Sequence, residues 1–128
     1  MKKKFSSSWK SSKQPKKQRK YRYNAPLHTK QKFIHIHLSK ELRKKHKTRR
    51  LGPKKGDKVK VLRGQFKKHT GNIERIDLKK TKVYVSGIDI TKKDGTKTTY
   101  PIDPSNIILT ELNLDDKIRQ KIIERKVK

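Results

Sequence analysis

Five histidines and eleven acids are the groups in this chain suited to acid–base or metal chemistry, and there is no cysteine to supply a thiolate. His35 and His37 stand two apart in the run Ile34-His35-Ile36-His37, so an extended segment places both on one face, where a metal is conceivable. No third ligand falls at a spacing that completes a site, and histidines contacting phosphates or bases fit the pattern better. Asp115-Asp116 has the form of an acid/base pair, but helix-start chemistry explains two acids there more simply. Gly64 and Gly71 do not follow phosphate-loop spacing and lack its Lys-Ser/Thr ending. The expectation is no enzyme, no metal site, no cofactor and no small-molecule substrate.

The remaining chemistry is cationic. Of 128 residues, 39 are Lys or Arg and the formal net charge is +28. Residues 1–55 hold 21 Lys/Arg against one acid, Glu41, and residues 56–128 hold 18 against ten, so the halves carry +20 and +8. A compact chain this basic repels itself and calls for a large anion as partner. No run approaches the ~20 apolar residues that span a bilayer, and the stretch FSSSW is no apolar signal core, so neither a membrane partner nor a secretory peptide is expected. A reducing, cytoplasmic setting fits the missing cysteines. One basic cluster alone reads as a solvated face or a localisation signal. Here several coincide, which points to nucleic acid.

The expected contacts fall in three places. Lys13, Lys16, Lys17, Arg19, Lys20, Tyr21, Arg22 and Tyr23 form the first, with His28 and Lys32 after it. Arg43, Lys44, Lys45, Arg49, Arg50, Lys54 and Lys55 form the second, with Lys47 among them. Arg63, Lys67, Lys68 and His69 form the third, with a further pair, Lys79-Lys80, in a turn. Trp9, Tyr21 and Tyr23 suit stacking on bases as well as plain contact area. RNA is favoured over DNA: flexible basic arms suit irregular folded RNA, and no helix-turn-helix or zinc finger is visible.

The elements that must position these groups are small. Residues 1–23 show no apolar period and read as a basic flexible arm, disordered until bound. Asn24-Ala25-Pro26 reads as a helix start, with a short helix to about Phe33 before the IHIH run favours extension. Ser39 caps a helix over 40–47 with Glu41 in its first turn and Leu42 as its one core residue. Leu51-Gly52-Pro53 breaks the chain. Strands are then expected near 58–63, 71–77, 82–86, 97–100 and 107–110, with turns at Asp77–Lys80 and at Asp94-Gly95. Their core is Val59, Val61, Ile73, Ile76, Val83, Val85, Ile88, Ile107 and Leu109, and short strands with close turns favour a small barrel. The stretch 114–126 reads as a helix capped by Asn113 and docked through Leu114, Ile118 and Ile122.

Residues 56–76, GDKVKVLRGQFKKHTGNIERI, resemble the KOW motif, a β-turn-β unit of ribosomal proteins and transcription elongation factors, with Gly56, Gly64 and Gly71 as its glycines. With SKQPKKQRKYRYNAPLH (12–28), LSKELRKKH (38–46), PIDPSNIILTELN (101–113) and IIERK (122–126), the chain resembles the archaeal and eukaryotic family of universal large-subunit ribosomal protein twenty-four, in a form more archaeal than eukaryotic. The resemblance covers about residues 12–128. It implies an SH3-like barrel with a basic N-terminal extension and a C-terminal helix. It also implies a place in the large subunit, on 23S-type rRNA in its five-prime region by the polypeptide exit side, with a role in early assembly. The implied partners are rRNA and neighbouring ribosomal proteins, not a second copy of the chain. The family's loop pattern, R-G-x-F-K-G-x-x-G, is met by Arg63, Gly64, Phe66, Lys67 and Gly71, but Lys68 stands where the family has glycine.

The domain reading is a basic arm over 1–23, short basic helices and linker over 24–55, the KOW barrel over 56–112 and a C-terminal helix over 113–128. The competing readings are a KOW-type transcription or RNP accessory factor and a protein that coats chromosomal DNA.

Overall fold

Alternating Val59 and Val61, and Ile73 facing them, dictate a half-buried β-hairpin. The computed structural model, which describes residues 3–127, places that hairpin within a six-stranded sheet, between β8 and the edge strand β5. Its members are β1 (Ile36–Leu38), β2 (Arg50–Leu51), β3 (Lys58–Val61), β4 (Thr70–Asp77), β5 (Lys82–Val85) and, after a separate hairpin, β8 (Ile107–Glu111). The order across the sheet is β2-β1-β8-β3-β4-β5. The separate hairpin pairs β6 (Asp89–Thr91) with β7 (Lys97–Thr99) around Asp94-Gly95. The Asp94 carboxylate accepts from the Thr96 N–H at 3.0 Å and its hydroxyl at 2.7 Å, which closes that turn.

The five expected strands are present, within a residue or two at most ends. A closed barrel is not what the strand pairing draws. The sheet runs open from β2 to β5, and β5 meets the far side only through the isolated Val83–Ile102 bridge. The expected core residues are buried except Ile76, which is partly buried against the cluster. The core is larger than expected because Ile34, Ile36, Leu38 and Leu51 join it. Segment 24–55 is therefore not only helices and linker. β1 enters the sheet parallel to β8, His37 opposite Ile108 and Leu38 opposite Leu109, and antiparallel to β2.

Among the described residues four helices accompany the sheet: α1 (Pro15–Asn24), α2 (Leu27–Phe33), α3 (Lys40–His46) and α4 (Lys117–Val127). α1 lies where the composition predicts no regular structure. Two local devices supply what a count of apolar residues misses. Gln18 Nε2 donates to the carbonyls of Trp9, Lys10 and Ser12 at 3.2, 3.0 and 2.7 Å, tying α1 to a 3-10 turn over Ser7–Ser11. Tyr21 is buried between Phe5, 5.3 Å away and stacked, and Phe33, edge-on at 5.8 Å.

Asn24 ends α1 rather than capping α2. Pro26 is the N-cap of α2, its carbonyl accepting from the Thr29 and Lys30 N–H groups. Ser39 does cap α3, accepting the Leu42 N–H at 3.3 Å. α4 begins later than expected. Asp116, not Asn113, caps it, its carboxylate accepting the Ile118 N–H at 2.8 Å while its carbonyl accepts the Gln120 N–H. The docked face shifts with it: Ile123 and Arg119 are buried, whereas Ile118 is 68% exposed and Leu114 and Ile122 lie at the surface.

Candidate nucleic-acid interface

The β3–β4 loop is a compact turn, not a flexible basic tip. Lys67 N–H donates to Gly64 O, Lys68 N–H to Val61 O and His69 N–H to Phe66 O, at 3.1, 2.9 and 3.1 Å. Phe66 anchors it, packing on the core and tilted against Tyr100 at 5.3 Å. Arg63, Lys67 and Lys68 project from this anchored turn and are exposed. His69 does not: its Nε2 lies 3.0 Å from the Ser86 carbonyl and its ring lies against Gly87. Lys68, in the position of the family glycine, has φ +74, and Gly64 has φ +94. The loop therefore keeps the left-handed backbone a glycine would take, with a lysine side chain mounted on it.

Gly71 follows a different logic. A Cβ there would lie 2.7 Å from the Ser86 carbonyl oxygen, so the residue must be glycine for β4 to approach the chain after β5.

α3 and β2 hold a second group. Arg43 Nε donates to the Leu38 carbonyl at 2.7 Å, which fixes the root of its guanidinium beside β1. Lys44, Lys45, Arg49 and Arg50 are exposed around it. His37 is exposed, and desolvation by the neighbouring chain, then the charges of Arg49, Arg43 and Arg50, push it below the usual imidazole range, so these three arginines and His37 share one field. His35 is also lowered, first by burial and then by Arg50 and Lys126.

The third group is α1. Lys16, Lys17, Arg19, Lys20 and Arg22 are exposed along it. Tyr21 is withdrawn into the aromatic cluster and offers no face for stacking, whereas Tyr23 is 80% exposed. Lys20 covers the Trp9 ring at 4.9 Å and Arg22 lies 5.7 Å from the Phe33 ring. Lys13 and Lys55 are exposed on their loops. Lys54 is paired with Asp116, the one member of the expected set held by an acid among the described residues. His28 and Lys32 line a cleft of about 590 Å³ between α2 and α4, away from α1.

Sequence reading alone misses the pair that holds α4. Asp57 is fully buried and meets Arg119 in two bonds, Nη1 to Oδ1 at 2.6 Å and Nη2 to Oδ2 at 2.7 Å. The Lys54 and Asn113 N–H groups donate to the same carboxylate at 2.7 and 2.8 Å. Arg119 also donates to the Asn113 and Gly52 carbonyls. An acid between Gly56 and Lys58 reads as a turn residue, and nothing in its neighbourhood signals a partner on the last helix.

Sheet and surface together define a small β-rich protein that, among the described residues, buries a bidentate ion pair and carries most of its cations without acid partners. Among the described residues no helix is long and apolar enough to cross a membrane. The family model that describes the eukaryotic ribosomal proteins L26 and their archaeal L24 counterparts matches residues 12–126. The chain is 51% identical over 110 residues to the large ribosomal subunit protein uL24 of Methanoculleus marisnigri, covering 86% of this chain and 91% of that one. It is 50% identical over 114 residues to uL24 of Methanothrix thermoacetophila, covering 89% and 98%. The chain belongs to this family of ribosomal proteins, in its archaeal form, and the family is not one of enzymes.

Proposed function

We propose that the chain is a structural constituent of the large subunit of the cytoplasmic ribosome, binding 23S-type rRNA in its five-prime region near the polypeptide exit side and supporting early assembly. The observation that carries this reading is the exposure of cations on α1, α3 and the β3–β4 loop with almost no acids to neutralise them, in a chain whose relatives are large-subunit proteins. Each lysine or arginine that meets a phosphate releases condensed counterions, so binding falls steeply with salt. The folded sheet sets position, and the α1 and α3 segments bridge neighbouring RNA strands. The domain division belongs to the same proposal, with α1 inside the basic arm and with β1 and β2 making residues 24–55 part of the sheet's support.

The SH3-like barrel belongs to the same reading. Val83 and Ile102 exchange two backbone bonds of 2.9 Å, and Ile102 leads through the 3-10 turn at Pro104–Asn106 into β8, which pairs with β3. That path supports a ring of β3, β4, β5 and β8.

The test is occupancy. The protein should remain near one copy per purified large subunit after a moderate-salt wash, and Lys67→Glu with Lys68→Glu should weaken rRNA binding and slow subunit assembly. Entry of that variant at the wild-type rate would remove the loop from the interface. Substoichiometric recovery of the wild type would indicate an accessory factor instead.

A further inference from the structure

Between α1 and the β4–β5 turn lies an open cleft of about 1230 Å³. One wall is α1, where Arg19, Arg22 and Tyr23 share a face because residues three and four apart do so on a helix. The opposite wall is the turn, with Lys79 and Lys80. Lys30 of α2 also lines it and is tied to the turn, its Nζ donating to the Lys79 carbonyl at 3.0 Å. The turn is itself pinned, because the Asp77 carboxylate accepts the Lys80 N–H at 3.0 Å. The cleft is thus built from three elements with fixed roots.

Its chemistry is one-sided. Lys82 is occupied by Asp103 at 2.7 Å, and the Tyr84 ring is covered by the Arg75 guanidinium at 4.1 Å. Arg19, Arg22, Lys79 and Lys80 have no acid within ion-pairing reach among the described residues. Tyr23, 80% exposed, stands among them with its ring free of aromatic partners in the described residues.

We propose that this cleft binds a single-stranded RNA segment, one base stacked on Tyr23 and the flanking phosphates held by Arg19, Arg22, Lys79 and Lys80. The inference rests on the RNA-binding reading above and adds a place and a form of RNA to it. Cations on two walls, with an aromatic ring beside those of the α1 wall, match a strand that presents phosphates and a bare base face together. In a duplex each base face is covered by its neighbours and the ring has nothing to stack on. An acidic peptide would satisfy the cations but leave the ring without a partner.

The experiment is fluorescence anisotropy of the full chain with a short labelled single-stranded RNA, with a duplex of the same sequence, and with a poly-glutamate peptide. Tyr23→Ala should weaken single-strand binding about tenfold, within the range of base–aromatic stacking, and leave duplex binding nearly unchanged. Tyr23→Phe, which keeps the ring, should retain the affinity. Lys79→Gln with Lys80→Gln should lower the single-strand salt slope by about 1.4, roughly 0.7 per phosphate contact. Lys67→Gln with Lys68→Gln should weaken RNA binding without altering the preference for single strands. Equal single-strand binding by wild type and Tyr23→Ala would overturn the cleft assignment and leave the RNA-binding function standing. Poly-glutamate binding as tight as the RNA, with the same loss in Tyr23→Ala, would overturn it in favour of a protein partner. Failure of the wild type to bind any RNA would overturn both.

Discussion

Asp57 and Arg119, 62 residues apart, meet in a two-pronged ion pair with side chains 0% and 6% exposed. Through it the loop that opens β3 and the last helix are one unit. A buried pair of this kind contributes little net stability as a pair, but removing one partner strands the other. The carboxylate also takes the Lys54 and Asn113 N–H groups, so the two truncations are unequal. Asp57→Ala should cost about 5 kcal/mol and Arg119→Met about 3 kcal/mol, the two ends of the range for such losses. Urea unfolding measured for both should give that order; a cost below about 1 kcal/mol for Asp57→Ala would show that the pair does not hold the fold.

Lys68 keeps a glycine's backbone at φ +74. A non-glycine residue there is strained by about 1–2 kcal/mol, partly offset by the greater chain entropy that glycine loses on folding. Lys68→Gly should therefore raise stability by about 0.5–1 kcal/mol while removing one cation from the loop. Thermal melts and RNA titrations of the same variant should move in opposite directions.

Gly71→Ala puts a methyl group 2.7 Å from the Ser86 carbonyl oxygen and 2.9 Å from both Ser86 Oγ and Val85 Cγ1. Ser86 is held to Asn72, its N–H donating to the Asn72 carbonyl and its Oγ accepting the Asn72 N–H, so the neighbour has little room to give. Overpacking should cost about 1–3 kcal/mol. A wild-type denaturation midpoint for this variant would mean that β4 and the Ser86 segment separate freely.

The histidines make stability depend on pH. His35 is lowered by burial, then Arg50 and Lys126; His37 by burial, then Arg49, Arg43 and Arg50; His46 by burial, then Lys45. A folded-state value below the unfolded one means that the unfolded chain takes up protons first as pH falls. Stability from these groups is complete above the ordinary imidazole value of about 6.5 and is lost as pH drops through the folded values. The urea midpoint should therefore fall between about pH 7 and pH 5, and His35→Gln should flatten part of that slope. Asp77, held low first by the Lys80 N–H, and Asp116, held low first by Lys54, act in a separate window, losing their contribution only as pH falls below the ordinary carboxylate range.

The β3–β4–β5 part of the sheet is readable from sequence because its signals are local. Val59, Val61, Ile73, Val83 and Val85 alternate or cluster as half-buried strands do, and Asp94-Gly95 marks the turn of the separate β6–β7 hairpin. What escapes depends on residues far apart in sequence. β1 gains its place from β8, some seventy residues on, and a three-residue strand carries no period of its own. Arg119 reads as a solvated helix cation until Asp57 is set beside it. The docked face of α4 differs from the expected one because buried Asp57 draws Arg119 inward, which turns Ile123 rather than Ile118 and Ile122 toward the core. At the candidate interface the cationic segments are legible from charge alone. The withdrawal of Tyr21, the role of Lys30 and the cleft between α1 and Lys79-Lys80 are not, since each needs the fold to bring separate segments together.

The parallel pairing of β1 with β8 also sets a schedule. β8 lies between β1 and β3, so neither neighbour has its full set of backbone partners until residues 107–111 have been synthesised. During synthesis the first 55 residues, with 21 Lys/Arg and one acid, leave the translating ribosome well before the strand that completes their sheet. Long-range pairing of this kind is slow because the intervening chain must be closed first. The newborn protein thus has its highest density of positive charge, 21 Lys/Arg and one acid in 55 residues, while it is least folded.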